Sequence, residues 1–120
     1  MNYGGHAGND TILSLIHEAR MQYLGHFGYT EMNLAGAGLI MSDVGIEFKK
    51  ELFYGEQVTA SVVAGDFSRI GFDLYYKLEK ISPAGNSIVA LAKTGMICYD
   101  YTQKKMVYVP EEARIRMQGH

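Results

Sequence analysis

The apolar residues of this chain change their period once. From Ile12 to Leu24 they recur at helical spacing: Ile12, Leu15, Ile16, Ala19 and Tyr23 fall on one stripe, and Leu13 and Leu24 widen it. Ser14, Glu18 and Gln22 share the opposite flank. Beyond Ala35-Gly36-Ala37-Gly38 the period drops to two. Over 39–49 the alternation assigns Ile40, Val44, Ile46 and Phe48 to one face, and Met41, Asp43 and Glu47 to the other. Over 57–64, Val58, Ala60, Val62 and Ala64 alternate with Gln57, Thr59, Ser61 and Val63. The clearest strand is 70–79, where Ile70, Phe72, Leu74, Tyr76 and Leu78 alternate with Gly71, Asp73, Tyr75, Lys77 and Glu79. A further long strand is expected over 87–99 and a short one over 106–109, ended by Pro110.

Few folds accept such a pattern. A helix that is apolar on more than one side must be wrapped. Long strands joined by short turns, such as Ser82-Pro83-Ala84-Gly85-Asn86, pair antiparallel. The economical solution is an α+β domain in which a curved antiparallel sheet encloses one helix. The helix is expected over 10–25, about 16 residues or ~24 Å long. Asn9-Asp10-Thr11 offers its start, and Gly25 or Gly28 its left-handed end. The expected layout is a single domain over 1–120: a loop over 1–9, the helix, a sheet over 38–110, and a charged tail over 111–120 that forms a last helical turn or frays.

Composition removes several classes of function. Apolar residues at 48% and charged residues at 20% suit a folded chain rather than a disordered one. A net charge of -2 leaves no basic footprint, so neither nucleic acid nor an anionic membrane is an expected partner. No apolar run approaches the ~20 residues of a membrane span. The opening Met1-Asn2-Tyr3-Gly4-Gly5-His6 has no secretion-signal character, so a cytoplasmic location is expected. The single cysteine, Cys98, excludes an intrachain disulfide and a multi-cysteine zinc site. The histidines at 6, 17, 26 and 120 form no close ligand set, so no metal is expected.

One segment points to a family. Gly5-His6-Ala7-Gly8-Asn9-Asp10-Thr11-Ile12-Leu13-Ser14-Leu15-Ile16-His17-Glu18-Ala19-Arg20 resembles, without a gap, the opening of the hotdog-fold acyl-CoA thioesterases of the 4-hydroxybenzoyl-CoA type, D-x-D-x-x-G-H-V-N-N-x-x-Y-L-x-x-x-E-x-A-R. Phe53-Tyr54-Gly55-Glu56-Gln57-Val58 is similar to the family's Y-x-G-D-x-V turn. Asp66-Phe67-Ser68-Arg69 resembles the entry to its third long strand, Asn86-Ser87-Ile88-Val89-Ala90 its hairpin return, and Val109-Pro110 its usual end. The resemblance covers most of residues 2–110. It implies a hotdog fold and a homodimer with two shared sites, often paired into tetramers. The implied substrate is an acyl thioester of coenzyme A or acyl carrier protein, hydrolysed with no metal or redox cofactor.

The chemistry that the resemblance implies needs an attacking water or carboxylate, an oxyanion site and a leaving thiolate. The N-terminus of the helix offers backbone N–H groups and the positive end of its dipole to the oxyanion. Asn9 and Asp10 stand there as oxyanion-site residues or as a plain N-cap. The family's acid falls at Asn2, whose amide cannot take a proton at neutral pH. Glu18 is the only helix carboxylate past the first turn, either the displaced base or a structural acid paired with an arginine such as Arg20 of a neighbour; Asp10 is a third candidate, a weaker base if it is spent on capping. His6, in the family's Gly-His position, binds the carbonyl or a water, or simply closes a turn. Gly5 and Gly8 let the loop that carries Tyr3 pass close to a substrate, or merely make a tight turn, and Ser68 and Arg69 sit where relatives hold the nucleotide end of coenzyme A, or form a solvated turn. The missing acid at Asn2 keeps a second class open, a hotdog domain that binds an acyl thioester without hydrolysing it. A hotdog dehydratase using His6 and Glu18 is the weaker third.

Overall fold

The computed structural model describes residues 9–53 and 55–119. The elements in chain order are α1 (Asn9–His26), β1 (Gly38–Phe48), β2 (Gln57–Gly65), β3 (Gly71–Ile81), β4 (Ser87–Asp100), β5 (Lys105–Met106) and α2 (Glu111–Gln118). The helix α1 closes on Gly28, whose φ of 82° lies in the left-handed region that glycine enters at no steric cost. Tyr29 N–H donates to the Leu24 carbonyl at 2.9 Å, and Gly28 N–H to the Gly25 carbonyl at 3.0 Å. These bonds satisfy carbonyls that the helix end leaves open. They also turn Phe27 and Tyr29 back into the core beside Leu24.

The sheet is antiparallel throughout, in the order β1-β4-β3-β2, with β5 against the far end of β4. Phe72, Leu74, Tyr76 and Leu78 of β3 stand opposite Met96, Thr94, Ala92 and Ala90 of β4. All eight are buried, and with Ile12, Leu15, Ile16 and Ala19 of α1 they form the core. One apolar helix therefore lies in the concave face of a curved sheet, and the class is α+β. Among the described residues no helix is long and apolar enough to cross a membrane.

The face expected for Ile40 is corrected by a bulge. The β1–β4 register slips between Met41 and Asp43, leaving Ser42 without a cross-strand partner. Leu39 and Met41 therefore share the concave face before the slip, opposite Cys98 and Met96. After it Val44, Ile46 and Phe48 do so, opposite Thr94, Ala92 and Ala90. Ile40 belongs to the convex face.

After β5 the chain differs from the expected strand over 106–109, and the tail is a helix of eight residues rather than a single last turn. The paired strand β5 is only two residues long, although Val107 N–H still reaches the Cys98 carbonyl at 3.0 Å. Pro110 then leads into α2, where Ala113 and Met117 are fully buried one turn apart. Tyr29 donates from its hydroxyl to Glu112 at 2.6 Å, tying α2 to the turn that ends α1.

Candidate active site

The motif residues divide between two places in the fold. Asn2, Tyr3, Gly5, His6 and Gly8 lie outside the described residues. Asn9 and Asp10 form the first turn of α1. The first four N–H groups of any α-helix have no acceptor within it, so this end presents donors and the positive end of the dipole.

Glu18 lies two turns further along α1, exposed to solvent, and accepts from Gln22 Nε2 at 2.9 Å. Gln22 also lines a groove of about 490 Å³ between α1 and the edge strand β2, walled by Leu15, Ala19, Tyr23, Val58, Ala60 and Val62. The carboxylate is thus one hydrogen bond from an apolar groove, and it is not buried within its own chain.

Arg20 does not meet Glu18. It is turned into the core, 6% exposed, beneath α1. Its Nη1 donates to the Tyr76 hydroxyl at 3.3 Å, and that hydroxyl lies 2.7 Å from Thr94 Oγ1. Its Nη2 lies 3.2 Å from His17 Nδ1, and its Nε lies 3.5 Å from Glu31 Oε2 without hydrogen-bond geometry. Three segments of the chain, α1, the loop at Glu31 and β3, therefore meet on one buried guanidinium, and β4 joins them through the Tyr76 hydroxyl. In the sequence this group has one signal: Arg20 interrupts an apolar row, four residues after Ile16 and four before Leu24.

Ser68 and Arg69 occupy the turn into β3. Asp66 begins it at a φ of 50° and takes the Tyr75 hydroxyl as a hydrogen-bond donor. That bond, first among the causes, pushes the Tyr75 phenol up to about 12. Ser68 is already engaged: its N–H donates to the Gly71 carbonyl at 2.8 Å and its Oγ accepts from Gly71 N–H at 3.1 Å. Arg69 points outward, exposed. No hydrogen bond or ion pair joins this turn to Glu18 among the described residues. Nor do the described residues hold a cluster of histidine, cysteine and carboxylate groups able to bind a metal.

With this geometry in view, comparison with known proteins is decisive for the family. The sequence pattern of the thioesterase-like superfamily matches residues 1–117. The chain belongs to the thioesterase-like superfamily. Membership places it with the thioesterases, a class of hydrolase. No curated protein matches it. Among solved structures, a thioesterase-superfamily protein from Jannaschia sp. superimposes with a TM-score of 0.82 at 14% identity, covering 94% of this chain and 70% of that one. The DHNA-CoA thioesterase of Staphylococcus aureus gives 0.78 at 20% identity, covering 96% and 80%. The 4-hydroxybenzoyl-CoA thioesterase of a Pseudomonas strain gives 0.78 at 15%, covering 92% and 86%. At these identities the likeness establishes the fold, which is the hotdog fold.

Proposed function

We propose that this superfamily member hydrolyses acyl thioesters of coenzyme A, or of acyl carrier protein, at a site completed by a second copy of the chain. The observation that carries the reading is the position of α1: it begins at Asn9, inside the family motif, so its donor end is where the thioester carbonyl is to sit. Water adds to that carbonyl as its proton passes to a base. The resulting oxyanion is held by the first-turn N–H groups. The C–S bond then breaks, releasing a carboxylic acid and, once the sulfur is protonated, a free thiol. Asn2, His6 and Asn9 orient the carbonyl and the water, with Tyr3, Gly5, Gly8 and Asp10 lining the approach. Glu18 supplies the base that Asn2 cannot, since its carboxylate is exposed and, among the described residues, held only by Gln22. Ser68 and Arg69 meet the nucleotide end of the carrier, the exposed guanidinium of Arg69 by a forked pair of bonds to phosphate.

The second copy is supported by β1. Its concave-face residues Met41, Val44 and Phe48 are 45%, 44% and 48% exposed, although their partners across β4 are buried. A second reading, binding without hydrolysis, is favoured by the amide at Asn2.

Thiol release from a panel of acyl-CoA esters separates the two. Wild-type turnover that falls about 10²- to 10⁴-fold in Glu18→Gln is the expected result for a base on the helix. Turnover indifferent to that change keeps the enzyme and removes Glu18 from the mechanism. If no ester is cleaved, yet acyl-CoA raises the melting temperature and Asn2→Asp installs turnover, the protein is a binder.

A further inference from the structure

Three consecutive carbonyls of the Ser68–Arg69 turn are held by the C-terminal part of the chain. The Ser68 carbonyl accepts from Arg114 Nη2 at 2.8 Å. The Arg69 carbonyl accepts from Val109 N–H at 2.8 Å, and the Ile70 carbonyl from Cys98 N–H at 2.8 Å. Arg114 also lies over the Phe67 ring, 5.5 Å from its centre, and Phe67 stacks on Phe72 in the core at 5.2 Å. The same guanidinium stays 3.8 Å from Glu111 on its own helix. Behind the turn no slack remains, because a Cβ on Gly71 would come within 2.3 Å of the Met96 carbonyl. The backbone of the turn is thus held at three carbonyls and backed by β4, while the Arg69 side chain is exposed, with no ion pair to any described residue.

We infer that Arg114 of α2 is a positioning residue for Arg69: it clamps the turn so that the Arg69 guanidinium is presented, already oriented, to the phosphates at the nucleotide end of the thioester carrier. This rests on the reading of Arg69 given under the proposed function. A pre-set backbone lowers the ordering cost of an exposed, flexible side chain when it captures an anion. The clamp acts only through Arg69, so its effect is confined to ligands that carry the nucleotide.

The test compares acyl-CoA with the corresponding acyl-pantetheine, which lacks the nucleotide, in Arg69→Met, Arg114→Met and the double variant. Dissociation constants for coenzyme A and pantetheine are measured alongside, so the test does not require turnover. Arg69→Met is expected to weaken acyl-CoA, about three- to tenfold in KM, and not acyl-pantetheine. Arg114→Met is expected to do the same to a smaller degree, with the loss in KM rather than kcat. The double variant is expected to be no weaker than Arg69→Met alone, and Arg114→Lys to recover part of the loss. If Arg69→Met weakens coenzyme A while Arg114→Met does not, the clamp is refuted and the assignment of Arg69 stands. Equal losses on both substrates, or losses that add in the double variant, also refute the clamp. If Arg69→Met changes nothing, the reading of Arg69 itself fails. Should Arg114→Met not fold, Arg114→Gln carries the comparison: it removes the charge and is too short to hold the Ser68 carbonyl, and no selective loss on acyl-CoA overturns the inference.

Discussion

The Tyr76 hydroxyl is shared by two buried groups, the Arg20 guanidinium and Thr94 Oγ1. Removing a buried partner costs more than the bond it made, because the groups left behind have lost water as well. Tyr76→Phe is therefore expected to lower stability by about 1–3 kcal/mol in denaturant unfolding, a large effect for one oxygen atom. Cys98 gives a second prediction at this scale, in the pH dependence. Burial pushes its thiol up to about 11 from an ordinary value of 9.0. Below pH 9 the thiol is protonated in both the folded and unfolded chain, and it contributes no pH dependence. Between 9 and 11 the unfolded chain ionises first, so unfolding releases a proton and stability falls as pH rises, by at most about 1.4 kcal/mol per pH unit. Tyr23 and Tyr29, both raised chiefly by burial, add to the alkaline loss at higher pH. Comparing wild type with Cys98→Ala isolates the thiol: the variant is expected to hold its stability flatter between pH 9 and 11. An identical slope in the two proteins would falsify the assignment.

At the level of elements, the end of α1 depends on one backbone conformation. An alanine Cβ at Gly28 meets nothing within 4 Å, so the cost of Gly28→Ala is conformational and not steric crowding. A left-handed alanine is expected to cost about 1–2 kcal/mol, seen as a lower midpoint with unchanged denaturant slope. That closure was visible in the sequence because a glycine follows a strong helical stripe. The alternations of β2 and β3 were visible for the same reason, since a half-buried strand writes its period directly into the chain. The bulge at Ser42 was not, because one unpaired residue leaves the residue types in place and exchanges only their faces. The helix α2 was legible only as a last turn or a frayed tail, because its segment is highly charged and it buries only Ala113 and Met117. The site divides along the same line. The motif from Gly5 to Arg20 is local and readable. The Arg20 network and the grip of Arg114 on Ser68 need partners 56 and 46 residues away, which no local pattern announces.

At the scale of the whole molecule, the two edges of the sheet are unequal. Of the strands, α1 lies closest to β2, at the opposite edge of the sheet from β1. The concave face of β1 is therefore left to Met41, Val44 and Phe48, with Leu13 of α1 also 44% exposed. Apolar side chains in a row on an outer strand invite pairing, and a second copy offers the same row by symmetry. Val44→Glu together with Phe48→Glu places two charges on that row without touching the core residues beneath α1. Sedimentation is expected to give twice the chain mass for wild type and the single mass for the variant, with cooperative melting retained. If the thioester site is shared between copies, hydrolysis disappears together with the doubled mass. A variant that is monomeric and still active would leave the dimer real but place the whole site within one chain. A wild type that is monomeric at working concentration would remove the second copy from the mechanism and leave the exposed face of β1 to be explained by something else.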